Sequence, residues 1–257
     1  MEKLVKTVNL TKVYRVKTDK GTEDVAALDS VSMEIFRGET FGVIGESGSG
    51  KTTLGKTVIR LIEPTEGEIY FRDMNIAALN DKKIRRLRRH FQIIFQDPYK
   101  SLNPRMSIGS AVYEGISEKL SRPERIEKAR ELLEMVGIGF KKYHYFPHQF
   151  SGGERQRIAI ARALSTDPEF IVCDEPTSNL DLSIQAKILN LFLELKEKLN
   201  LTYLFISHNL RIIEFIAGRV AVMHRGKVVE EGNTRQIIRN PGHPYTKTLV
   251  EKGRTHI

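Results

Sequence analysis

Gly45-Glu46-Ser47-Gly48-Ser49-Gly50-Lys51-Thr52 fits the pattern G-x-x-x-x-G-K-[ST] at every fixed position. That pattern serves phosphate chemistry. Its glycines let the backbone wrap around an anion, successive N–H groups form a concave nest, and the positive end of a following helix adds to the field. Lys51 supplies a point charge for β- and γ-phosphates, and the Thr52 hydroxyl is a ligand for Mg²⁺. Thr53 joins the same nucleotide-binding set. A second chemical group is Asp174-Glu175, which closes the apolar run Phe170-Ile171-Val172-Cys173. A carboxylate at the tip of a central strand can face Mg²⁺ beside the nest. A Gly/Ser-rich turn ending in Gly-Lys-Thr by chance is the bland alternative, and the flanking strand and helix weigh against it. Cys173, on the acidic strand, reads as a small buried hydrophobe rather than a reactive thiol.

These residues need strands and helices to hold them. Phe41-Gly42-Val43-Ile44 is a short apolar run feeding the glycine-rich loop, and the helix after it carries Leu54, Val58 and Leu61 on one face until Pro64 and Gly67 end it. Val31 to Ile35 alternates strictly, as a half-buried strand should, and Lys3 to Tyr14 alternates loosely. Glu68 to Phe71 is another strand. The middle differs: residues 98–166 are mainly helical, with Arg122-Pro123-Glu124-Arg125 opening a helix that Gly137 closes. Ser151-Gly152-Gly153 followed by Glu154 to Leu164 reads as an N-cap and a helix, whose free N–H groups suit an anion. Tyr203 to Ile206 is a buried parallel-type strand, and Asp181 to Leu199 a long helix before it. An α/β body, residues 1–97 and 167–257, is thus interrupted by a helical insert, 98–166, within one domain.

With 257 residues and 40% hydrophobic content the chain has material for a real core, which excludes disorder throughout. One cysteine excludes an intramolecular disulfide and an all-cysteine metal cage. Met1 to Lys6 holds no apolar stretch of signal-peptide length, and the longest run free of Asp, Glu, Lys and Arg, Leu199 to Leu210, is far short of the ~20 residues of a membrane span. A formal charge of +9 points to a polyanion or to a charged surface. Lys82 to His90 is strongly basic, yet Ile84 and Leu87 sit three apart, so it reads as the solvated face of a helix.

Ser151-Gly152-Gly153-Glu154-Arg155-Gln156-Arg157 resembles the signature of ATP-binding cassette (ABC) proteins, with Glu154 where Gln is usual. Other motifs of that family come in order. Gln96 resembles the Q-loop glutamine, Ser178-Asn179-Leu180-Asp181 the D-loop, and His208 the switch histidine; Tyr14 stands where the family places a ring against adenine. The resemblance covers nearly the whole chain. It implies a P-loop NTPase fold with an ABC-type core, an N-terminal antiparallel β subdomain and the helical insert. It also implies ATP and Mg²⁺ as cofactors. Glu175 is then the general base, His208 a contact to the γ-phosphate, and Thr52, Gln96 and Asp174 the Mg²⁺ ligands, directly or through water. Two cassettes pair head to tail, so Ser151, Gly152, Gly153 and Glu154 act on the partner's nucleotide and Asp181 lies at the interface.

Phe95-Gln96-Asp97-Pro98-Tyr99-Lys100-Ser101-Leu102-Asn103-Pro104-Arg105 narrows the resemblance to the importers of dipeptides, oligopeptides and nickel, as do Asp181 to Ala186 and Asn240-Pro241-Gly242-His243-Pro244-Tyr245-Thr246. Some members of that group take up oligosaccharides. Many peptide importers carry a cysteine-bearing tail after this last motif; no cysteine follows it here, so an iron–sulfur cluster is not expected. The expected assembly holds a second ATPase subunit, identical or homologous, two membrane-spanning permeases and, indirectly, an extracytoplasmic solute-binding protein. The chain then sits peripherally on the cytoplasmic face of the membrane. The rival is an ABC ATPase acting on nucleic acid or the ribosome. Those types carry a coiled-coil insert, zinc cysteines or two cassettes, none of which is present, so no nucleic acid is expected.

Overall fold

The computed structural model describes residues 2–18 and 21–255. It divides into two compact units, Met1–Leu87 with Thr202–Ile257, and Arg88–Leu201. The first segment runs β1 (Lys3–Thr18), β2 (Gly21–Phe36), β3 (Thr40–Ile44), α1 (Lys51–Val58), β4 (Glu66–Phe71), β5 (Met74–Asn75) and α2 (Asp81–Leu87). The second unit holds β6 (Phe91–Ile94), α3 (Pro98–Ser101), α4 (Ile108–Tyr113), α5 (Arg122–Met135), α6 (Gly152–Leu164), β7 (Phe170–Asp174) and α7 (Leu182–Leu199). The chain returns to the first unit with β8 (Thr202–Ser207), α8 (Leu210–Ile216), β9 (Arg219–His224), β10 (Lys227–Asn233), α9 (Thr234–Arg239) and α10 (Pro244–Thr255).

The first unit contains an antiparallel sheet in the order β2-β1-β4-β5. Strict alternation in β2 has its expected consequence: Val31, Met33 and Ile35 are buried while Ser32 is exposed. In a second sheet of this unit β3 lies between β8 and β9, parallel to both, and β10 adds antiparallel to β9. Every residue of β3 is buried, as in a strand covered on both faces. Ile44 stands opposite Ser207 of β8 and Val222 of β9, so the carboxyl ends of the three strands lie together. Such strand ends are where open α/β sheets bind ligands.

Helix α1 is shorter than its periodicity predicts. Leu54 and Val58 are buried as expected, but the helix stops at Val58 and Leu61 is exposed. Arg60 is the reason: it adopts φ 53, and the left-handed region ends helices. The basic helix α2 buries Ile84 alone and leaves Lys82, Lys83, Arg85 and Arg86 exposed, in keeping with a solvated face.

In the second unit β6 runs parallel to β7, with Ile94 opposite Cys173. Burial pushes the Cys173 thiol well above its usual range and Asp174 adds to the shift, so it stays a neutral packing group. Helix α5 spans Arg122 to Met135, closed by Gly137 in the left-handed region (φ 77). Helix α6 begins where Ser-Gly-Gly predicts. Ser151 Oγ accepts the Glu154 N–H at 3.3 Å, and the Glu154 carboxylate accepts the Ser151 N–H at 3.0 Å. This reciprocal capping box satisfies donors that the first turn leaves open.

Lys142 Nζ lies 2.8 Å from Glu154 Oε1. Its hydrogen bond, followed by that of the Ser151 backbone, pulls the Glu154 carboxyl down to about 2 from 4.5. A carboxyl depressed in the folded state stabilises above its unfolded pKa and loses that effect as pH falls towards the folded one. Both partners are partly exposed, so the pair contributes on the order of 1 kcal/mol or less. Wild type should therefore be more stable than Glu154→Gln at neutral pH, with the gap shrinking from about pH 5 down towards pH 2. Denaturant unfolding of both proteins across that range measures it; a constant gap rejects the ion pair as its source.

Candidate functional site

The phosphate loop leaves β3 at Gly45 and enters α1 at Lys51. Its shape depends on two close backbone contacts. A Cβ on Gly45 would run into the Met223 carbonyl oxygen, and a Cβ on Gly50 into the Ala27 carbonyl oxygen. Gly50 also has φ 102, a conformation that L side chains rarely adopt. The turn after β9 fastens the same loop, since the Gly226 N–H donates to Ser49 O at 3.0 Å. Lys51 is only 5% exposed, and its ammonium donates to Gly45 O and Glu46 O, both at 2.8 Å. Ser49 is buried too, and its Oγ has no hydrogen-bond partner among the described residues. A buried cation and an unsatisfied hydroxyl within a glycine nest fit a bound phosphate.

His208 comes just after the end of β8, beside the end of β3. It is exposed, and the turn carrying it is fixed by the Asn209 N–H donating to Ser207 Oγ at 3.0 Å. Asn209 in turn caps α8 through the Arg211 N–H at 3.0 Å. Within the first unit, then, strand register brings the phosphate loop and His208 to the same sheet end. Thr52 is exposed at the start of α1, and Thr53 half-buried beside it. Tyr14 lies on β1 opposite Val25, partly exposed, with Lys12 Nζ 5.2 Å from its ring centre.

The second unit brings another set together. Ile94 and Cys173 are register partners, so Gln96 and Glu175 emerge side by side two residues later. Gln96 Nε2 donates to Glu175 Oε2 at 3.3 Å, and Asn179 Nδ2 reaches Gln96 O at 3.5 Å. Asp174 is buried at the strand tip. Glu175 itself adopts φ 48, a backbone state costing about 1–2 kcal/mol for a residue with a Cβ. The Ser178 hydroxyl at 3.1 Å and its N–H at 3.3 Å both donate to Glu175 O and hold the turn.

Ser151 and Gly152 are exposed at the start of α6, and Gly153 is buried. Glu154 does not project a free carboxylate, because the capping box and Lys142 engage it. Asp181 is the exposed N-cap of α7, with Leu182 exposed beside it. Sequence reasoning misses Lys142, whose spacing from Glu154 offers no motif to find it by. A cavity of about 350 Å³ also lies in this unit, lined by Ile94, Phe95, Ser101, Ala111, Ala159 and Arg162 among others. Two arginines of α6 tie α3 to that helix. Arg162 donates to Ser101 O, and the Arg155 guanidinium stacks 3.8 Å from the Tyr99 ring centre.

Comparison with known proteins places this geometry. A family model described as ABC transporter matches residues 28–178. The dipeptide transport ATP-binding protein DppF of Haemophilus influenzae is 49% identical over 96% of this chain and 77% of its own length. The oligopeptide transport ATP-binding protein OppF of Bacillus subtilis is 48% identical over 91% of this chain and 77% of its own. Among solved structures, a dimeric post-hydrolysis state of the ATP-binding cassette MJ0796 bound to ADP and Pi superimposes with a TM-score of 0.80 at 33% identity, covering 90% of this chain and 99% of that one. The cbiO1 structure from Clostridium perfringens, part of the transporter complex cbiONQ, gives 0.82 at 28% identity over 100% and 96%. A phosphate loop, a signature helix and an acidic strand in one chain of this fold thus have a single reading: the protein belongs to the ABC transporter family and is an ATP-hydrolysing cassette.

Proposed function

We propose that this chain is the ATPase subunit of an importer for dipeptides or oligopeptides, or for a related solute such as nickel or an oligosaccharide. The observation that carries the catalytic part is Glu175, held in a left-handed turn after buried Asp174 with its carboxylate 3.3 Å from the Gln96 amide. The names of the DppF and OppF relatives support the peptide part. No helix among the described residues is long and apolar enough to cross a membrane. The path for solute therefore belongs to partners, two membrane-spanning permeases served by an extracytoplasmic binding protein. The chain would lie peripherally on the cytoplasmic face.

In this reading Lys51 and the loop amides between Gly45 and Thr53 bind the ATP phosphates, except the Glu46 N–H, which Tyr245 Oη accepts, and Tyr14 offers its ring to adenine. Thr52, with Gln96 and Asp174 directly or through water, presents the hard oxygen donors that Mg²⁺ prefers. When bound, the ion would neutralise charge on the β- and γ-phosphate oxygens. Glu175 polarises the attacking water and takes its proton as the oxygen bonds to the γ-phosphorus and the bond to ADP breaks. His208 stabilises the charge on the γ-phosphate. Residues 98–166 move as an insert hinged at Gln96, and the groove beside Asp97 to Arg105 receives a helix of a permease. A second cassette, identical or homologous, supplies Ser151, Gly152, Gly153 and Glu154 to the nucleotide, with Asp181 at the interface.

Glu175→Gln should bind ATP yet hydrolyse it at least ~100-fold more slowly, the scale of a lost general base. Phosphate release at saturating ATP tests this, and near-normal turnover would sink the assignment. The same variant should dimerise when ATP is added, alone or mixed with a homologous subunit. Light scattering reads the mass directly; a monomer in both mixtures with ATP present removes the paired-cassette mechanism.

A further inference from the structure

Helix α10 and the segment before it lie against the phosphate loop. Tyr245 Oη accepts the Glu46 N–H at 3.0 Å, and Lys252 Nζ donates to the Glu46 carboxylate at 2.8 Å. Lys51 Nζ takes the remaining group, the Glu46 carbonyl, at 2.8 Å. Every polar group of Glu46 is therefore engaged, two of them by α10. Tyr245 is itself fixed. Its ring packs on His224, with centres 3.9 Å apart, at the end of β9. Its N–H donates to His243 Nδ1 at 3.2 Å. The segment is anchored to β10, where the Glu230 carboxylate accepts the Gly242 and His243 N–H groups at 2.8 and 3.0 Å. Burial pushes the Tyr245 phenol above its ordinary value, so the hydroxyl stays neutral at physiological pH.

These contacts hold the loop at the end away from its other fastening. Gly226 holds Ser49 near the helix end of the loop, and Tyr245 holds Glu46 near its strand end. A nest binds an anion only when its N–H groups converge, and a loop held at both ends loses less freedom when the anion arrives. We infer that Tyr245 is a positioning residue for nucleotide binding, acting through the Glu46 backbone, and that the Asn240–Thr246 motif exists to seat it. Lys252 adds little by itself: it is 62% exposed and Glu46 48%, the condition of a weak surface pair. The inference rests on the reading that Gly45 to Thr52 binds nucleotide phosphates.

Tyr245→Phe removes the hydroxyl and keeps the ring on His224. Loss of one hydrogen bond that preorganises the loop should weaken ATP and ADP binding alike by about fivefold. The KM for ATP should rise by the same factor with kcat within about twofold, the pattern of a lost interaction common to ground and transition states. Titration of the full chain with a fluorescent ATP analogue, kinetics with the partner subunits and Tm of the nucleotide-free protein complete the test. Lys252→Ala should change affinity less than Tyr245→Phe and lose its effect in high salt. Wild-type nucleotide affinity in Tyr245→Phe, whether or not its Tm falls, overturns the inference, and so does a fall in kcat at unchanged KM. Lys51→Ala is the control for the reading beneath it. If wild type and Lys51→Ala bind ATP equally, the loop itself has been misread; if only Lys51→Ala fails, the fault lies with Tyr245 alone.

Discussion

Backbone touches backbone around the phosphate loop. Gly45 lies against the Met223 carbonyl and Gly50 against the Ala27 carbonyl, with no room for a side chain at either point. A nest for an anion is an array of N–H groups whose directions must agree, and a free loop of this composition would scatter them. Here β2 and β9 set the directions from outside. The parallel register of β3 with β8 and β9 reflects three strands buried along most of their length. That register fixes where the loop leaves the sheet, and so where His208 stands.

The second unit solves a different problem. In the proposed reading it aims a carboxylate rather than a set of amides. Parallel pairing of β6 with β7 carries Gln96 and Glu175 out of the sheet together, and a left-handed residue at Glu175 turns the chain at once. Few residues other than glycine or asparagine adopt that state without cost, and glycine would remove the carboxylate. If Glu175 is the proposed general base, its left-handed backbone combines a turn and an acid at one position. Two donors from Ser178 to the Glu175 carbonyl offset part of the cost.

Motifs whose function depends on local geometry are legible in the sequence. The phosphate loop, the N-cap at Ser151 and the alternation in β2 each need neighbours within a few residues, and each stands where its residues predict. The features that the sequence conceals depend on the tertiary structure. Nothing in Thr57 to Leu61 announces that Arg60 will be left-handed, so periodicity alone carries α1 a turn too far. Glu154 reads as a departure from the usual signature residue. Lys142, 12 residues earlier, makes it half of an ion pair that completes a capping box. Tyr245 is visible only as part of a family motif, because its partner Glu46 is 199 residues away.

That last separation bears on how a cassette can be adjusted. In the proposed reading the residues of the phosphate loop meet the anion directly, and its outer supports act on it only through the loop backbone. A single hydroxyl on α10 acts on one N–H of the loop, and its effect is graded because one neutral hydrogen bond contributes only about 1 kcal/mol. A contact of that size would shift nucleotide affinity several-fold without touching Glu175, the proposed general base. In the proposed reading the segment beyond β10 can therefore set nucleotide affinity from outside the loop, through a tyrosine whose ring packs on His224 and which follows His243, whose N–H donates to Glu230.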